Sequence, residues 1–86
     1  MTEVVFEVRV LREHTNRFAK LWAAGWANRA TGRADAAHFV PMQILHTVEP
    51  DADLKALASE LTAVLTQCRI SFEIRNSGQI QPSPSR

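Results

Sequence analysis

The sequence predicts a small two-layer α+β domain, β-α-β-α-β in order, with two helices on one face of a three- or four-stranded sheet. Three observations carry this expectation. Apolar and polar residues alternate over residues 2–12 and again over residues 69–75, the period of a strand. Apolar residues recur at three- and four-residue steps over residues 15–33 and 51–67, the period of a helix. The outward faces of the first and last strands carry Glu3, Glu7 and Arg9 and then Ser71, Glu73 and Arg75, so a second helical layer would have nothing to bury there.

In the first strand Val4, Phe6, Val8 and Val10 point one way and Glu3, Val5, Glu7, Arg9 and Leu11 the other. Glu13, His14 and Thr15 then turn the chain. Residues 15–33, TNRFAKLWAAGWANRATGR, read as one amphipathic helix holding both tryptophans. Thr15 suits its N-cap, the alanines favour helix, and Gly32 suits the residue just past its end. Its apolar arc, from Phe18 through Leu21, Trp22, Gly25 and Trp26 to the alanines, is wider than the roughly 100° stripe that one small core needs.

Residues 32–37 form a loop. The run from His38 to Val48 places Val40, Met42, Ile44, His46 and Val48 on one face, and Pro41 belongs at the start of the strand or on a sheet edge. A strand over residues 42–48 follows. Asp51 and Asp53 suit the positive pole of a second helix over residues 51–67. Its stripe is Leu54, Leu57, Ala58, Leu61, Val64, Leu65 and Cys68. The short joins around that helix favour a parallel β-α-β unit, which would make the domain a small α/β one. The loop after the first helix is long enough to reverse the second strand against the first. Residues 69–75 form the last main strand, and residues 79–81 offer a short further one. The domain is expected over residues 1–78, with residues 79–86 as a flexible polar tail.

At 86 residues this is one domain with a modest core. A net charge of +1 argues for neither nucleic acid nor membrane as a whole-molecule partner. No apolar run approaches a membrane span, the acidic start does not suit a signal peptide, and Cys68 is alone, so a cytoplasmic protein is expected.

No catalytic motif is present. His14, His38, His46 and Cys68 have no metal-ligand spacing, so neither a metal nor another cofactor is expected. Phosphate-cradling glycine loops are missing too, and Gly25 stands alone inside the first predicted helix. The excess apolar arc therefore points to a non-catalytic protein–protein interaction module, a homodimer meeting its copy through Ala19, Trp22, Ala23, Trp26 and Ala30, with Trp26 as anchor. Alternatively, Arg12, Arg17, Lys20, Arg29 and Arg33 could serve a nucleic-acid-binding accessory domain. A third reading is a small enzyme or ligand-binding domain with a pocket near Trp26 and His46 that works only as a dimer.

Overall fold

The computed structural model describes residues 2–76 and 78–82. The elements in order are β1 (Thr2–Leu11), a single 3-10 turn (Arg12–His14), α1 (Ala19–Ala23), β2 (Ala27–Ala30), β3 (Phe39–Val48), α2 (Leu54–Gln67), β4 (Phe72–Ile74) and β5 (Gln79–Pro82). Every pairing is antiparallel. The sheet runs β2-β3-β1-β4, and β5 joins β1 beside β4. Strands β3 and β4 thus run the same way on either side of β1, and α2 connects them across it. The chain from β1 through α1 to β2 steps over β3 in the same manner. Two split β-α-β units interlock, an arrangement that hosts many unrelated functions.

The two-layer architecture agrees with the sequence pattern. Val4, Phe6, Val8 and Val10 are buried against Phe18 and Leu21 from the first helical segment and Leu61 and Leu65 from α2. Asp53 caps α2, its carboxylate accepting from the Lys55 N–H at 3.0 Å. Cys68 closes the same buried stripe. Among the described residues no helix is long and apolar enough to cross a membrane.

The long first helix is not there. Residues 15–33 form five residues of helix and four of strand. Thr15 does not cap: its hydroxyl donates back to the Arg12 carbonyl at 2.8 Å. Gly25 ends the helix at φ +93°, a conformation that side-chain-bearing residues rarely adopt, and the Trp26 N–H closes on the Leu21 carbonyl at 3.1 Å. The chain then enters β2 with Trp26 turned into the core. An arc too wide for one helix is two narrower apolar faces on two elements.

Three further differences follow from pairing. The second strand begins at Phe39 and contains Pro41, which lies opposite Thr31, just past the end of β2; the Thr31 N–H reaches the Pro41 carbonyl at 2.9 Å, and no reciprocal donor is needed. The strands flanking α2 are not hydrogen-bonded neighbours, because β1 lies between them. Residues 79–82, expected in a tail or a strand turning back, continue along β1 instead. Glu73 faces Arg9, but Gln79 faces Val5, so two extra residues are accommodated between β4 and β5. The rest of the predicted tail, residues 83–86, lies outside the described residues.

Candidate interaction surface

The sheet and Gly25 together build a corner from α1 and β2. Leu21 points into the core, and its neighbour Trp22 is 56% exposed, the one large apolar side chain so exposed among the described residues. Trp22 is nevertheless held. Its indole Nε1–H donates to Asn28 Oδ1 of β2 at 2.7 Å, and its ring leans on Phe18 with centroids 6.3 Å apart. Ala19 and Ala23, on the same helix α1, and Ala30, on the same face of β2 as Asn28, are exposed as well.

Trp26 has the opposite fate. It is 2% exposed, stacked on His46 at 4.6 Å between centroids and tilted against Phe6 at 6.1 Å. Its indole Nε1–H is buried without a partner among the described residues. The expected contact strip of Ala19, Trp22, Ala23, Trp26 and Ala30 is thus not one helical face. Three of its members lie on α1, Ala30 lies on an edge strand, and Trp26 is core. The physical reason is Gly25, whose positive φ puts Trp26 in strand phase rather than helix phase. The exposed aromatic is Trp22.

The basic residues are spread over several elements. The Arg12 N–H bonds the His38 carbonyl just past β1, and Arg17 donates to the Arg69 carbonyl at 2.7 Å near the same end, where the Leu11 N–H bonds the Ser71 carbonyl. Lys20 is on α1, Arg29 donates to Gln43 on the open face of the sheet, and Arg33 follows β2. All five are exposed. One local feature does emerge: α1, β2 and β3 together contain Lys20 and Arg29 and no carboxylate.

Two of the three histidines, His14 and His46, hold structure through a ring nitrogen. His46 Nδ1 is 2.9 Å from the Gly25 carbonyl, which can only accept, so Nδ1 carries the proton. The Ser71 N–H donates to His14 Nδ1 at 2.9 Å, so that nitrogen is the bare one. Among the described residues no three metal-ligating side chains come together, and Cys68 is buried.

A cluster on the open face escaped the sequence reading. Arg9 bridges Glu73 of β4, at 2.9 Å, and Asp35 in the loop before β3, with its guanidinium 5.1 Å from the centroid of the Phe39 ring. The Phe39 N–H is the largest influence holding the Asp35 carboxylate below its ordinary range; desolvation opposes it, and Arg9 and the Ala37 N–H add to the lowering. This ties the 31–38 loop to the sheet. Beside it lies an open hollow of about 330 Å³ with Glu7, Arg9, Arg75 and Asn76 in its wall. Opposite charges on Glu7 and Arg75 give it no single electrostatic preference. Parity places Arg9 and Glu73 on outward faces, but their pairing required the register, which the sequence does not spell out.

Comparison of the chain with protein-family models, with curated proteins and with solved structures finds no match.

Proposed function

We propose that the chain is a non-catalytic protein–protein interaction module of the cytoplasm, and that its contact surface is the corner of α1 and β2. The observation that supports this most is Trp22, an exposed indole kept in one orientation by Asn28. A side chain already held in place loses little conformational freedom when a partner covers it. Tryptophan is also among the residues most often found as interface hot spots, and the small side chains of Ala19 and Ala23 let another chain approach. The homodimer expected from the sequence would use this same corner, centred on Trp22 rather than Trp26.

The test compares wild type with Trp22→Ala. Sedimentation velocity at micromolar concentration reports self-association, and capture on immobilised chain from the native cell reports other partners. A dimer or a captured protein lost with Trp22→Ala is the expected result. Identical sedimentation and identical captured proteins for the two chains would refute the reading.

A further inference from the structure

The corner contains a sheet edge as well as an anchor. Among the described residues, strand β2 has β3 on one side and no strand on the other. The Thr31 N–H bonds the Pro41 carbonyl, and backbone groups alternate sides along an antiparallel strand. Ala27 and Arg29 therefore turn theirs toward β3, while Asn28 and Ala30 point an N–H and a C=O each away from the sheet. The opposite edge of the sheet is interrupted between β4 and β5 and ends at Pro82. Such breaks and prolines, like very short strands and charged side chains, keep a sheet edge unpaired. The β2 edge is short and carries Arg29, but its register with β3 is continuous and its sequence, Ala-Asn-Arg-Ala, has no proline, so its outward N–H and C=O groups stay open to a strand that matches the charge.

Charge narrows the occupant. Lys20 and Arg29 stand in α1 and β2 without a carboxylate in these elements or in β3, and Arg33 follows. The next acid along the chain, Asp35, is already engaged by Arg9 and by the N–H groups of Ala37 and Phe39. A second copy would bring the same cations to this edge. A nucleic-acid backbone would satisfy the cations, but its phosphates are acceptors and leave the Asn28 and Ala30 carbonyls without donors. An acidic polypeptide strand matches both the charges and the alternating backbone groups.

We infer that the free edge of β2 takes an extended acidic segment of a partner protein as an additional strand, with an apolar side chain of that segment against Trp22 and its carboxylates near Arg29 and Arg33. Main-chain bonds supply affinity in this mode and side chains supply selection. The inference rests on reading the corner as the contact surface, and adds how the partner binds and what chemistry it carries.

The probe is the capped peptide Glu-Val-Glu-Phe-Glu-Val-Glu, with the glutamine analogue and oligothymidylate as controls. Peptide addition is expected to slow amide hydrogen exchange at Asn28 and Ala30. Affinity should fall about tenfold, as for loss of one strong interface contact, in Trp22→Ala, in Arg29→Gln and in Ala30→Pro. Proline at position 30 deletes an outward donor and leaves the β2–β3 ladder intact; the same peptide N-methylated at alternate residues, so that it cannot donate to the edge, serves if the proline bends the strand. Loss with Trp22→Ala but not with Ala30→Pro or with the N-methylated peptide keeps the corner and overturns strand addition. Indifference to Trp22→Ala overturns both. Unchanged exchange at Asn28 and Ala30 at saturating peptide overturns strand addition, and equal binding of the glutamine analogue overturns the acidic partner. Tighter binding of oligothymidylate shows a nucleic-acid surface instead, and concentration-dependent protection of these amides without peptide shows a second copy; either overturns the inference.

Discussion

Replacing Gly25 with alanine tests the central feature of the fold by the sign of its effect. If residues 15–33 were one helix, Gly25→Ala would stabilise the protein by about 1 kcal/mol, the propensity difference at an interior helical position. In the structure Gly25 sits at φ +93°, so alanine costs about 1–2 kcal/mol for the left-handed backbone alone. The new Cβ would lie 3.1 Å from His46 Cε1, and His46 cannot yield without loosening its bond to the Gly25 carbonyl. That bond adds about 1 kcal/mol. The expected loss is therefore about 2–3 kcal/mol, a large part of the roughly 4–13 kcal/mol total stability of a chain this size. Urea denaturation followed by far-ultraviolet circular dichroism should show a lower midpoint at unchanged slope, and melting should fall by roughly 10–20 °C. A variant as stable as wild type, or more stable, would show that the chain does not turn at Gly25 and that β2 is misplaced.

Trp26→Ala should destabilise the fold by about 3–5 kcal/mol, the range for emptying a large aromatic site in a core, whereas Trp22→Ala should stay within about 1 kcal/mol; urea midpoints of the two variants check the contrast. Cys68 should resist a thiol probe in the native state and react readily after unfolding, and Cys68→Ala should cost about 1 kcal/mol by the same urea measurement. The Asp35 carboxylate is held below its ordinary range, so its stabilising contribution is complete above that range and disappears as pH falls through the lower folded value. In that window the unfolded chain binds the extra proton. Asp35→Asn should therefore be less stable than wild type near neutrality, and the gap should close on acidification below the ordinary carboxylate range, read from denaturation midpoints across pH.

Much of the fold was legible because burial has a period. Strand β1 shows its core face at every second residue, and α2 shows its stripe at Leu54, Leu57, Leu61 and Leu65. Between Phe18 and Ala30 that signal failed for a physical reason. Leu21, Trp22, Gly25 and Trp26 satisfy helical spacing, and the alanines favour it. The decision belongs to tertiary structure: β3 gains a neighbour and Phe6 gains the indole of Trp26 only if the chain breaks at Gly25. A glycine interrupting an otherwise strong helical pattern was the available clue. The candidate site shifted with that break, from Trp26 to Trp22. The Arg9–Asp35–Glu73 cluster was out of reach altogether, since it depends on which strands lie side by side.

The position of β1 has a consequence in time. Strand β1 is synthesised before every strand it pairs with, and it lies between β3 and the β4–β5 edge, with partners that lie from 28 positions ahead, Leu11 to Phe39, to 80 ahead, Thr2 to Pro82. Until those residues exist, Val4, Val5, Phe6, Val8 and Val10 form an apolar segment with nothing to pair with, the kind that invites association with other nascent chains. Folding must wait for these distant closures, which places the domain toward the slower end for its size, in about milliseconds to seconds rather than microseconds. A strand made before all its partners is thus among the last to be fully enclosed.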